Sequence, residues 1–298
     1  MKGRAYFLLG YCGNIMSLSI TLKQGAQGLL KQAGLYQRMK ASCIYDFYRT
    51  LDDPHWIADR NKEVEFFRRL LAGFRAGDLI FDIGANYGAK TDVFLRLGAR
   101  VVSVDPDETN IEILKGKFLT NRIIPKPVVL EGKAVSDRVG QMTMWVDAPG
   151  SALNTLNPKW ADTLRNDETR FGRRLNFTQE RIVETTTLDY LIARHGRPSY
   201  IKIDVEGHEL AVLRGLRQPV PCLSFEVNLP DFREESLECV RLLNELNSDG
   251  QFNYAIDCRK GLGVERWLPA GKFLTLYQQC EEPAVEIFWR SPAVPHPA

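Results

Sequence analysis

The feature that most constrains this chain is a change of rhythm near residue 78. From there, short apolar runs at 78–83, 101–104, 128–134, 200–205 and 222–227 alternate with segments of helical apolar spacing at 90–97, 109–118, 188–194, 209–216 and 235–246. Strands that alternate with helices build parallel βαβ units, whose crossovers are right-handed in nearly all cases. The late runs at 253–257 and 285–289 are separated by a loop-like stretch and read as an antiparallel hairpin at one sheet edge. The expected fold is therefore α/β, a doubly wound, Rossmann-like, mostly parallel seven-stranded sheet with one antiparallel edge strand. The run QMTMWV at 141–146 is expected to pair beside the third strand.

The residues ahead of this pattern read differently. Residues 18–50 suggest short helices broken by glycines, residues 52–54 a turn, and residues 63–74 a helix. This divides the chain into an N-terminal helical extension, 1–60, and a main domain, 61–298. The apolar run at 5–11 is interrupted by Gly10, Gly13 and Asn14, with no small-residue cleavage site after it. No stretch approaches the roughly 20 apolar residues of a membrane span, so a cytoplasmic protein without an integral span is expected. A formal charge of +2 gives no reason to expect nucleic acid. The six cysteines form no C-x-x-C pair and cluster with no histidine, so no metal framework is expected.

Chemistry concentrates where the first strand meets its helix, at Asp82-Ile83-Gly84-Ala85-Asn86-Tyr87-Gly88. Gly84 and Gly88 permit positive φ and close backbone approach, and Asn86 is among the few other residues that tolerate the left-handed region. The helix that follows offers unpaired N–H groups to a negatively charged group. Asp105 ends the second strand roughly 20 residues on, where a carboxylate can accept ribose hydroxyls. A dinucleotide fingerprint needs G-x-G-x-x-G, and the G-x-N-x-G found here does not meet it. A ligand with an adenosine and an amino acid but no phosphate suits the loop better, with Asp82 holding the loop or facing its ammonium, and Asp105 facing its ribose. S-adenosylmethionine has those parts. Asp107 reads as a helix cap.

DIGANYGAKT (82–91), VVSVDPD (101–107), AVSD (134–137), TTLDYLI (186–192) and IKIDVEGHE (201–209) together resemble the FkbM family of methyltransferases. The resemblance implies a class I methyltransferase fold, S-adenosylmethionine as methyl donor, and commonly O-methylation of sugar or natural-product hydroxyls. By the same resemblance Asp82, Gly84, Asn86, Gly88 and Thr91 belong to the donor loop. Asp105 would hold the ribose, and Ala134, Val135 and Ser136 would line the adenine pocket. Asp204, Glu206 and Gly207 match the family's D-x-E-G element. Asp105 departs from the pattern, which often has glutamate there, and His208 is not fixed by it.

Ligands of open α/β sheets sit beyond the carboxyl ends of the strands. Asp204, Glu206, His208 and Glu226 gather there and are the candidates for contacting the acceptor or taking its proton. Glu226 stands in an apolar strand, where a lone carboxylate is costly, so it is expected to have a partner or a function. Lys202 reads as solvated or paired, pointing away from Asp204's immediate neighbours. Residues 149–181, rich in arginine and aromatic side chains, read as an irregular stretch with short helical possibilities, a lid or substrate insertion. The expected partner is a small-molecule or glycan acceptor, and a homodimer is compatible with the sequence. N-methylation, or a catalytically inactive protein that still binds S-adenosylmethionine, are the alternatives to O-methylation.

Overall fold

A computed structural model of the chain describes residues 54–167, 175–177 and 179–292. The expected extension before residue 54, and Arg170, Phe171, Arg173 and Arg174 of the insertion, lie outside the described residues.

Helix α1 (Pro54–Leu70) begins earlier than the periodicity suggests and runs unbroken through residue 60. Proline is at home in a first helical turn, where its missing N–H would have no partner anyway. Then come β1 (Leu79–Ile83), α2 (Ala89–Leu97), β2 (Arg100–Val104), α3 (Glu108–Lys115), a π-helical turn (Gly116–Thr120), β3 (Val128–Glu131), β4 (Ala134–Val135) and β5 (Gly140–Val146). Next are α4 (Pro158–Asn166), β6 (Gln179–Thr186), α5 (Leu188–His195), β7 (Tyr200–Ile203), α6 (Glu209–Arg214), β8 (Cys222–Asn228) and α7 (Arg233–Leu246). The chain closes with β9 (Gln251–Ala255), β10 (Leu268–Pro269), α8 (Ala270–Tyr277) and β11 (Ala284–Arg290).

The main sheet has eight strands in the order β10-β9-β11-β8-β7-β1-β2-β3. The expected seven-stranded sheet with an antiparallel edge strand is corrected by this order. Strand β11 is antiparallel to both β8 and β9, and so lies inside the sheet, while the two-residue β10 forms the edge. The sequence hid this because AGKFLTLY, now α8, was read as loop. Its Ala270, Phe273 and Tyr277 bury one helical face, and the connection it provides lets β11 enter between β8 and β9. A second correction concerns β5, which does not join β3. It pairs with β6, and β6 with β4, in a separate three-stranded sheet.

Each face of the main sheet carries a core. On one, Phe67 of α1 and Phe94 of α2 meet Tyr200 at ring distances of 5.1–5.7 Å. On the other, Phe81, Ile201, Ile203 and Phe225 pack beneath α4, α5, α6 and α7. The chain moves outward from β1 through β2 to β3, then returns to place β7 on β1's other side. That reversal opens a crevice at the carboxyl ends of β1, β2 and β7, the usual ligand position in open sheets.

Candidate active site

The turn after β1 is forced against β7. Gly84 has φ +80°, and a Cβ there would overlap the Asp204 carbonyl oxygen, so only glycine fits. Asn86 adopts φ +48°, and its N–H donates to Asp105 Oδ2 at 2.8 Å. Gly88 caps α2 at φ +78°, where a Cβ would lie 2.6 Å from Leu114 and from Phe118. Asp105 also accepts from the Asp107 N–H (2.9 Å) and the Asn110 amide (3.1 Å). Burial pushes its carboxyl up to about 6 against these bonds. Asp107 caps α3 through the Thr109 N–H at 2.8 Å, as the sequence suggested. It also accepts from the Gly150 N–H and the Asn154 amide, both at 2.8 Å, tying the segment after β5 over the crevice.

These residues enclose a first cavity. Gly84, Asn86 and Asp105 form its floor, Ala134, Val135 and Met144 the wall supplied by the small sheet, and Ser151, Asn154 and Leu156 the roof. Asp204, Glu206 and His208 stand at its inner end. The free volume is about 90 Å³. Asn110 Oδ1, in this wall, is buried and has no hydrogen-bond partner among the described residues. A second cavity of about 580 Å³ opens over the ends of β7, β8, β9 and β11, lined by Lys90, Lys202, Asp204, Glu226, Glu286 and neighbours from α1. Asp204 belongs to both.

The sequence-derived candidates separate here. Gly84, Asn86, Asp105, Ala134, Val135, Asp204, Glu206 and His208 line the first cavity, and Asp204 and Glu226 the second. Asp82, Gly88 and Thr91 do not line the first cavity. Asp82 is 1% exposed, accepts from Thr91 Oγ1 at 2.6 Å, and supports the loop from beneath; burial raises its carboxyl. Ser136 is buried and meets His208 Nε2 at 3.0 Å, fixing that ring, while burial lowers the imidazole.

Around Asp204 three carboxyls and one lysine converge. Lys202 lies two residues before Asp204 and so on the same face of β7, and its Nζ donates to Asp204 Oδ2 at 2.6 Å. Of the two expectations for Lys202, solvated or paired, the pair is found: the residue is buried. Burial opposes the Lys202 charge, yet Asp204, Glu286, Glu226 and Asp82 outweigh it and hold the ammonium charged. Burial likewise opposes charge on Asp204, but Lys202 and a hydrogen bond with Glu226 bring it below the ordinary carboxylate range. Glu226 is pushed up to about 9, first by the Asp204 charge and then by burial. Glu206 rises to about 8 through burial and the same Asp204 charge.

Glu206 is held by features the sequence did not reveal. Its backbone sits at φ +54°. Trp160 of α4 donates to its Oε2 at 3.0 Å, and Thr155 Oγ1 to its carbonyl at 2.6 Å. Trp160 is fully buried, with its ring 5.2 Å from Phe232. The stretch read as irregular thus contains a packed helix whose Trp160, Ala161 and Leu164 reach the core. Asn157, capping it, was a legible signal followed by proline at the first helical position. Among the described residues no group of three or more His, Cys, Asp or Glu is arranged to hold a metal.

Residues 82–250 match the model of the methyltransferase FkbM domain. No curated protein sequence matches the chain. Among solved structures the chain is similar to a precorrin 8W decarboxylase from Methanobacterium thermoautotrophicum, at 14% identity and a TM-score of 0.36, over 76% of this chain and 87% of that one. It is also similar to a TehB-like SAM-dependent methyltransferase from Corynebacterium glutamicum, at 10% identity and a TM-score of 0.38, over 77% and 87%.

Proposed function

From the premise that this chain belongs to the FkbM methyltransferase family, we propose that it transfers a methyl group from S-adenosylmethionine to a hydroxyl of a sugar or natural product. The observation that carries this reading is the position of Asp204, which lines both cavities and among the described residues is the only one that they share. A transfer needs two adjoining sites with a reacting group between them.

The first cavity suits the donor in its chemistry. Gly84 leaves backbone where a side chain would intrude, Asn110 Oδ1 is an acceptor in want of a donor, and Asp204 offers an ionised carboxylate to a cationic ligand. Its volume of about 90 Å³ is less than a nucleoside needs, so the roof segment that Asp107 ties down must move outward on binding. When bound, the donor supplies an electrophilic methyl group on a sulfonium. The protein's part is alignment, worth several kcal/mol or more in a well-oriented pair, and removal of the acceptor proton. In the second cavity Asp204 is the ionised group, because Lys202 stabilises its charge while Glu226 retains a proton. Asp204 orients the acceptor hydroxyl and receives its proton. His208, lowered by burial and tied to Ser136, serves the wall of the donor cavity.

Calorimetric titration with S-adenosylhomocysteine, with NAD as control, tests the donor site. Micromolar binding that weakens at least tenfold in Asp105→Asn is expected. Asp204→Asn should keep that affinity yet lose about 100-fold or more of methyl transfer across a panel of glycosides and polyketide alcohols. Absence of S-adenosylhomocysteine binding by the folded protein, or binding of NAD in its place, refutes the reading.

A further inference from the structure

The end of the main sheet opposite the cavities has a composition that the methyl-transfer reading does not use. The connections that enter β1, β2, β3 and β7 are residues 71–78, 98–100, 121–127 and 196–199. They carry Arg75, Arg100, Arg122, Lys126 and Arg197 against a single carboxylate, Asp78. Asp78 is partly spent on the Arg75 backbone N–H at 2.8 Å. These connections form one surface. The Gly77 N–H bonds the Gly98 carbonyl (2.8 Å), Arg100 Nε the Gly77 carbonyl (2.9 Å), Val101 N–H the Pro127 carbonyl (2.9 Å), and Ser199 N–H the Leu79 carbonyl (2.8 Å).

From this surface project Ile123 and Ile124, 103% and 78% exposed. Single exposed apolar residues are ordinary, but these two are adjacent, large and held outward. On one side Arg122 Nε donates to the Lys117 carbonyl at 2.7 Å, and on the other the Lys126 N–H donates to the Phe118 carbonyl at 2.9 Å. Pro125 and Pro127 further limit the backbone, so the pair cannot fold back onto the domain. Val129, 46% exposed on the edge strand β3, extends the apolar tip.

An apolar tip within a ring of cations matches the interface of an anionic bilayer, whose headgroups attract Lys and Arg while side chains enter the acyl boundary. A nucleic acid would use the cations and leave the isoleucines in water. We propose that this face, centred on Ile123 and Ile124, docks the protein on an anionic lipid surface. Docked so, the carboxyl ends of the strands and both cavities face the aqueous phase. The proposal is independent of the methyl-transfer reading.

The test is co-sedimentation of the full chain with phosphatidylcholine vesicles, with and without phosphatidylglycerol, at low and high salt. Binding to the anionic vesicles alone, weakened by salt, is expected. Ile123→Ser/Ile124→Ser should reduce partitioning roughly tenfold or more, and Arg122→Gln/Lys126→Gln roughly 25-fold, at about fivefold per charge. Both variants change exposed or half-exposed side chains, and unchanged melting and S-adenosylhomocysteine binding would establish that they fold. The proposal is overturned if the wild type stays in solution with anionic vesicles, or if the isoleucine variant binds as well as wild type. It is equally overturned if these isoleucines prove to mediate self-association without any binding to vesicles.

Discussion

Glu206 offers a measurement in which the sign and the size both follow from the site. Its carboxyl is held at about 8, against an ordinary value of 4.5, by burial and the Asp204 charge. An acid raised in the folded state binds its proton more tightly there than in the unfolded chain. The stabilisation is whole below about pH 4.5 and is lost as pH rises through about 8. Integrating the linkage from pH 6 to pH 9 gives a loss of about 3 kcal/mol from this one group. Solvent still reaches part of the side chain, so about 2 kcal/mol is the working figure. Glu206→Gln removes the titration while keeping an acceptor for Trp160 Nε1. Urea unfolding of wild type and variant at pH 6, 7, 8 and 9 should therefore show curves that diverge with pH. The wild type should lose about 2 kcal/mol more than the variant over that range, equivalent to roughly 4 °C in Tm for a domain of this size. Parallel curves would refute the assignment of a buried, charge-raised carboxyl to this position.

Two further substitutions probe the crevice. Gly84→Ala places a Cβ into the Asp204 carbonyl at a left-handed φ. It should cost at least about 2 kcal/mol and abolish S-adenosylhomocysteine binding, read by melting and calorimetry. Asp107→Ala releases the Thr109, Gly150 and Asn154 donors together. It should lower stability by about 2–4 kcal/mol, while protease cleavage within residues 147–156 becomes faster at the freed roof.

The sequence made the βαβ half of the molecule legible because its strands are buried on both faces and bounded by glycine turns. The loop at Gly84 and the acid at Asp105 could be placed for the same reason, since a strand-end glycine and the next strand's terminal acid have fixed relations in such a sheet. What escaped was decided by distant packing. Strand β11 sits inside the sheet only because α8 exists, and α8's apolar face lies in a segment that also carries glycine and threonine. Trp160 reaches Glu206 across 46 residues of sequence, a relation no local pattern encodes. Of the two roles the sequence allows Asp82, holding the loop or a ligand amine, the first is met, because its position within β1 turns it beneath the loop, where Thr91 donates to it. The pairing of Lys202 was legible, because strand alternation puts residues two apart on one face, where Asp204 meets it.

The protonation pattern around Asp204 bears on the choice between oxygen and nitrogen as acceptor. Lys202 and Lys90 stand with Asp204, Glu226 and Glu286 in the second cavity, and Lys202 spends its charge on Asp204, which it contacts at 2.6 Å. Glu226 and Glu206 then feel an uncompensated Asp204 charge and rise to about 9 and about 8. Facing the second cavity at neutral pH, Asp204 is a fixed carboxylate matched by Lys202, beside a protonated Glu226. Such a rim has little net attraction for an ammonium acceptor, which would have to shed its own charge before reacting. It has both a donor and an acceptor for a neutral hydroxyl, and an ionised oxygen on Asp204 to take its proton. An amine acceptor would be better served by an ionised Glu226, and the Asp204 charge is the first cause that keeps it protonated.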